Sequence, residues 1–230
     1  MAARRIGPYV SLRPGARVLD VGAAQGLAMV AFERAGYEAY GVEPWPQAID
    51  ASRVVAARTG TDARILEGAA ESLPFPPASF DLVHAHSVLE HVEDPAAVFA
   101  EAQRVLCPGG GFYFYTTSAL CPRQREIRRF PLFPWYPRAL KRAIMDWAVR
   151  SRPSLVGGTT APAYHWFTPW GVRSALASAG FRRTVDRWEL RLRDGGTRWR
   201  TVRLGAVRSS RTLRLLADVA VQDSFYLAIK

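Results

Sequence analysis

Val18-Leu19-Asp20-Val21-Gly22-Ala23-Ala24-Gln25-Gly26 is the stretch that decides the fold. The apolar run that ends in Gly22 has the pattern of a strand buried on both faces. Gly22 lets the backbone turn sharply off that strand, and Gly26 allows a ligand or a helix to come close. Residues Ala24 to Ala35 then carry helical spacing through Leu27, Val30, Ala31 and Arg34, and Gly36 marks the stop. This is a strand, a glycine-flanked turn and a helix, the first half of a βαβ unit.

The alternation continues outward. Strands are predicted at Glu38 to Val42, Ala63 to Glu67, Phe80 to Ala85 and Phe112 to Thr116. Helices are predicted at Pro46 to Thr59 and Pro95 to Leu106, with Pro108-Gly109-Gly110-Gly111 as a turn. Strands that alternate with helices imply a parallel sheet with right-handed crossovers. The pattern breaks over 119–167, which holds six prolines and one credible helix, Arg138 to Val149. It resumes at Thr168-Pro169, a helix cap followed by proline at the first helical position, and a helix runs from Val172 to Ala179. Val185 to Leu192 alternates apolar and charged residues, which predicts a half-buried antiparallel strand. Leu213 to Val219 reads as a helix and Ser224 to Ile229 as a last strand.

Composition narrows the function classes. The chain has 230 residues, 49% of them hydrophobic, enough to bury a core and to exclude wholesale disorder. No apolar run reaches the ~18 residues of a membrane span. Arg4 and Arg5 are followed by no apolar stretch, so no secretory signal is expected. Cys107 and Cys121 have no cysteine or histidine partner nearby, so neither a disulfide framework nor a metal site is expected. A reducing cytoplasm is the expected location. The net charge of +11 is unevenly placed: residues 1–119 carry −4 and residues 120–230 carry +15, nearly all of it arginine.

Two acids carry the chemistry. Asp20 ends the first strand two residues before Gly22, and Glu43 ends the second. The Gly-x-Gly-x-x-Gly fingerprint of a dinucleotide site is absent, and a carboxylate at Asp20 would repel a pyrophosphate. It suits an ammonium group instead, directly or through water. An acid at Glu43 can take both hydroxyls of a ribose. One acid for an ammonium, one for a ribose and no phosphate cradle describe S-adenosylmethionine better than a nicotinamide dinucleotide.

With these residues in view, the chain resembles a class I S-adenosylmethionine-dependent methyltransferase, similar to the ubiquinone and menaquinone biosynthesis (type 11) group. Four blocks carry the likeness: Asp20 to Gly26; Glu43; Gly68 to Phe75 with Ser79 to Val83; and Val88-Leu-Glu-His-Val92 with Asp94-Pro95 and Arg104 to Gly110. They cover about residues 15–118, with a weaker match at 164–182. The resemblance implies an α/β fold, a seven-stranded, mostly parallel, Rossmann-like sheet with a final antiparallel strand and an inserted lid-like segment. Residues 1–118 would form the cofactor-binding core, 119–167 the substrate insertion, and 168–230 would complete the same domain.

The resemblance also assigns residues. Asp20, Gly22, Ala23, Ala24 and Gly26 would hold the methionine end, and Glu43 the ribose, with Pro44 and Trp45 beside the adenine. Ala69 and Ala70 would border the adenine, and Ala85 and His86 would flank the methionine. Two departures stand out: Ala24 replaces the motif's middle glycine, and Ala69 stands where the family has an Asp for the adenine amino group. His91 and His165 are the candidate bases, since a histidine can take a hydroxyl proton at neutral pH. His84, on the strand, is expected to be packed and without a role.

The expected acceptor is a small, apolar molecule methylated on oxygen or carbon. The aromatic run Phe130 to Pro137 and the basic helix after it suggest peripheral contact with an anionic membrane through 130–150. Two alternatives remain. One is a degenerate, cofactor-binding scaffold, for which Ala69 is the best support. The other is an RNA methyltransferase, ranked last because no recognised RNA-binding module is visible.

Overall fold

Strand β1, Arg17–Val21, lies between β2, Glu38–Glu43, and β4, Phe80–His86, and pairs in parallel with both. The computed structural model describes residues 5–62, 64–157, 161–192 and 198–230. With β3, Ile65–Glu67, β5, Leu106–Thr117, β6, Arg183–Asp186, and β7, Asp223–Ile229, the strands form one seven-stranded sheet ordered β3-β2-β1-β4-β5-β7-β6. Only β7 runs against the others, pairing antiparallel with β5 and β6. The order reverses between β1 and β4, so a crevice opens at their carboxyl ends, where sheets of this kind bind ligands.

Helices α1, Leu27–Arg34, α2, Pro46–Thr59, and α3, Pro95–Val105, make the crossovers. Helices α4, Arg138–Ser151, α5, Pro169–Ser178, α6, Arg187–Leu192, α7, Arg198–Ser209, and α8, Arg211–Val219, follow. The two-residue period of the strands divides the core between the faces of the sheet. Val83, Phe112 and Phe114 pack on one face with Phe99 and Leu176, whereas Leu82, Tyr113 and Leu227 pack on the other with Ile6 and Val10. Burying a side chain of this size is worth about 1.5–3 kcal/mol, so these rows dominate the sheet's stability.

Four expectations from the sequence change. Helix α1 starts at Leu27 rather than Ala24, because Gly26 at φ 75° ends the turn and caps the helix. The Pro108–Gly111 turn belongs to β5, which begins at Leu106 and carries an irregular register opposite Phe80 and Leu82. Glycine is required there: a Cβ on Gly111 would lie 2.7 Å from Val10 Cγ2 and 2.9 Å from Leu227 Cδ1. The alternating segment Val185–Leu192 is two elements, since β6 ends at Asp186 and α6 follows. Asp186 Oδ1 accepts the N–H groups of Trp188 (3.0 Å) and Glu189 (3.2 Å), which caps the helix. Finally, α7 was not expected at all.

The third strand begins at Ile65, and Ala63 lies outside the described residues. Within 119–167 a separate small cluster forms around Ile127, Phe133, Met145, Ala148 and Val156. This segment is tied to the sheet by a bridge between Ser118 and Phe167. A second tie comes from the N–H groups of Tyr164 (2.7 Å) and His165 (3.3 Å), which both donate to the Glu90 carbonyl.

Candidate active site

The turn after β1 is folded onto the end of β2. The N–H groups of Gly22 (2.8 Å) and Ala23 (3.1 Å) both donate to the Val42 carbonyl. The Ala24 N–H donates to Glu43 Oε2 at 2.8 Å, and the Trp45 N–H to Glu43 Oε1 at 3.2 Å. The Glu43 carboxylate is therefore buried but fixed in place, with lone pairs left on both oxygens. Gly22 has φ 69°, and a Cβ there would meet Val88 Cγ2 at 2.5 Å, so no other residue fits. Ala24 holds φ 45°, a left-handed conformation that an L residue with a side chain adopts at a cost.

Two cavities open beside this turn. One, of about 420 Å³, is lined by Gly22, Ala24, Glu43, Trp45, Ala69 and Ala70, among others including Pro44. The other, of about 300 Å³, is lined by Asp20, Ala23, Gln25, His84 and His86. Neither lining holds a lysine or an arginine, while Asp20, Glu43, Glu71 and Glu93 all face the two cavities. An anionic ligand such as a pyrophosphate has no counter-charge here. A cationic ligand with a ribose does, and the donor set fits the sulfonium, ammonium and hydroxyls of S-adenosylmethionine.

Asp20 is not free. His84, directly opposite in the β1–β4 register, places Nδ1 2.7 Å from Asp20 Oδ1, and both side chains are nearly buried. Sequence reasoning gave His84 no role. The signal was its position on the adjoining strand, level with the motif acid, and only the strand order makes that visible.

Three assigned residues stand elsewhere. Gly26 does not line the cleft; it sits at the start of α1 against Ile65 and Ser52. Ala85 is fully buried among the core residues of the sheet and lines neither cavity. His165 lines none of these spaces; its ring lies 6.3 Å from that of Phe167. Ala69, with no side-chain acceptor, lines the first cavity beside Ala70.

A third cavity, of about 520 Å³, adjoins the first and shares His86, Ser87 and His91 with it. Its lining includes Glu90, Tyr115, Thr116, Gln124, Arg125 and Glu126. That lining is mostly polar, which does not match the expectation of an apolar acceptor. Glu90 is only 2% exposed. Thr116 Oγ1 donates to its Oε2 at 3.1 Å, and burial pushes its carboxyl up to about 7. Burial also pushes Glu126 upward, with help from Glu90. His86 and His91 are pushed down by burial and so favour the neutral form. His91 Nδ1 lies 3.2 Å from the Pro162 carbonyl, and the Ala161 backbone also acts on the ring. Glu90, Glu126 and Gln124 were all overlooked in the sequence. Glu126 and Asp146 are the only acids in 119–167, and an acid in so basic a segment was the available clue.

Comparison with known proteins bears on the family and the fold. The methyltransferase domain family matches residues 19–114. An uncharacterized methyltransferase of Mycobacterium sp. (strain KMS) is 32% identical over 176 residues, which covers 76% of this chain and 68% of that protein. A ubiquinone biosynthesis O-methyltransferase of Paracidovorax citrulli is 37% identical over 118 residues, half of each chain. Among solved structures, an S-adenosylmethionine-dependent methyltransferase from Mesorhizobium loti superposes with a TM-score of 0.62 at 20% identity, covering 100% of this chain and 96% of that one. At that identity the likeness shows the shared fold. Among the described residues no helix is long and apolar enough to cross a membrane, and no cluster of side chains could hold a metal ion.

Proposed function

The chain belongs to the S-adenosylmethionine-dependent methyltransferase family, and from that membership we propose that it binds S-adenosylmethionine in the carboxylate-lined cleft and methylates a small acceptor held in the adjoining cavity. The observation that carries this reading is the continuity of the two spaces through His86, Ser87 and His91. Glu43 would hold the ribose hydroxyls, Asp20 the ammonium group, and Trp45 with the backbone of Ala69 and Ala70 the adenine. The cofactor supplies a methyl group made electrophilic by the sulfonium charge.

The protein's part is binding, alignment and proton transfer. Aligning the acceptor with the methyl group contributes several kcal/mol by proximity alone. His91, neutral and bordering both cavities, is placed to take a proton from the acceptor. His165 lines neither cavity, and we assign it no part. The open cavity beside the cleft favours an enzyme over a scaffold that merely retains the cofactor.

Calorimetry with S-adenosylhomocysteine tests the cofactor site. Binding is expected, and Glu43→Gln should weaken it roughly tenfold or more, the effect of losing a charged hydrogen bond of about 1.5–3 kcal/mol. No binding by the intact protein, or unchanged affinity in the variant, overturns the assignment. Contact with an anionic membrane through 130–150 remains part of the proposal, supported by the exposed Leu132, Trp135, Leu140 and Trp147.

A further inference from the structure

The 520 Å³ cavity is lined by groups of opposite charge. Its buried side chains include Glu90, Thr116, Thr117 and Gln124, all nearly inaccessible to solvent. Gln124 is saturated: its Nε2 donates to the carbonyls of Ser118 (3.0 Å) and Cys121 (2.6 Å), and its Oε1 accepts from Trp166 Nε1 (2.9 Å). Thr117 Oγ1 donates to the His165 carbonyl at 2.9 Å. Glu90 already accepts from Thr116 Oγ1, so the Glu126 carboxylate is what remains for a ligand. Glu126 Oε2 is buried and has no hydrogen-bond partner among the described residues. A buried oxygen left in that condition costs about 1–3 kcal/mol, which a ligand donor would recover. Arg125 and Arg128 line the same cavity and are exposed, Arg125 near enough to act on both carboxyls, and among the described residues neither is in an ion pair. Asp223 also lines it, but its carboxylate lies 3.9 Å from Arg187.

We propose that the acceptor is a small molecule with a hydroxyl donated to Glu126 Oε2 and an anionic group held by Arg125 and Arg128. The assignment rests on reading this cavity as the acceptor site. A hydroxyl fits better than an ammonium because Arg125 already acts on both carboxyls as a counter-charge, so a neutral donor suffices. An apolar acceptor fits worst, because it would leave Glu126 Oε2 unpaired and both carboxyls dehydrated.

The test is a fragment screen by ligand-observed NMR on protein saturated with S-adenosylhomocysteine. Hydroxycarboxylates, hydroxyamines, simple amines and apolar fragments are present in equal number. Hydroxycarboxylates should dominate the hits. Glu126→Gln and Arg128→Ala should each weaken those hits by roughly tenfold while leaving S-adenosylhomocysteine affinity unchanged. Hits dominated by amines or apolar fragments overturn the proposal, as does an empty screen on protein that binds S-adenosylhomocysteine. Failure to bind S-adenosylhomocysteine is a different result, and it overturns the cofactor reading on which the proposal stands.

Discussion

Asp20 and His84 meet across the seam between β1 and β4, with Oδ1 and Nδ1 2.7 Å apart. The acid of the glycine-flanked turn is thus oriented by a ring from the neighbouring strand, which leaves its second oxygen for the cleft. A carboxylate can only accept, so Nδ1 is the donor. Replacing the ring by Phe should keep the shape of the packed strand and leave Asp20 free to rotate with an unpaired buried oxygen. We expect His84→Phe to weaken S-adenosylhomocysteine binding and to lower stability by about 1–3 kcal/mol. Calorimetry and denaturant unfolding read the two effects. Unchanged affinity would remove the orienting role.

Ala24 offers a gain rather than a loss. Its φ of 45° puts a Cβ where glycine has none, while its N–H still reaches Glu43. Left-handed backbone costs a residue other than glycine about 1–2 kcal/mol. Glycine in turn makes the unfolded chain more flexible, which offsets part of that relief. Ala24→Gly should therefore raise the melting temperature by about 2–4 °C, the usual response of a domain this size to 1 kcal/mol. A β-branched residue at the same site should lower it. A fall in melting temperature for the glycine variant would contradict the strain.

Glu90 sets a pH dependence of opposite sign to that of most carboxyls. Its folded-state value of about 7 lies above the ordinary 4.5, so the folded protein binds the proton more tightly than the unfolded chain. Stability from this group is complete below about 4.5 and is lost as pH rises towards 7, by about 3 kcal/mol at most. Thr116, Ser87 and Arg125 lower the value and burial raises it, and burial dominates. Glu90→Gln keeps the shape and removes the titration. Its stability, followed by denaturant unfolding between pH 5 and pH 8, should fall less with pH than that of the parent. Parallel curves for the two proteins would contradict the assignment.

These three sites differ in how far the sequence revealed them. Asp20 and Glu43 were legible because each ends a strand of clear pattern, and strand ends are where such sheets bind ligands. His84 and Glu90 were not, because their meaning lies in pairing across strands and in burial, neither of which has a local signature. The segment Val185–Leu192 failed for another reason. Trp188, Leu190 and Leu192 alternate as in a strand, yet Asp186-Arg187-Trp188-Glu189 is also the Asp-x-x-Glu spacing of a helix start. The cap prevailed because Asp186 also receives Arg173 at 2.5 Å and Arg214, which anchors the acid at the end of β6. Competition between a short alternating run and a cap is decided by such tertiary partners.

The insertion supplies the last prediction. Its inner side packs on Phe133 and Met145, while Trp135 (58% exposed), Leu140 and Trp147 face outward. Leu140 and Trp147 are seven residues apart on α4 and so share one face of the helix. Arg138 and Arg142 lie on the same helix, and Arg142 lies over the Tyr164 ring and makes a long, exposed ion pair with Glu93 at 3.3 Å. Aromatic and aliphatic side chains with arginines beside them suit the interface of an anionic bilayer, where each basic residue contributes about 1 kcal/mol. The protein should float with vesicles containing phosphatidylglycerol and less with vesicles of phosphatidylcholine alone. Raised salt should weaken the association, because exposed charges are screened within about 10 Å at 0.1 M salt. The triple change Trp135→Ser, Leu140→Ser and Trp147→Ser should abolish flotation without altering S-adenosylhomocysteine affinity, since none of these residues lines the cleft. Equal flotation by parent and variant would overturn this face as the membrane contact.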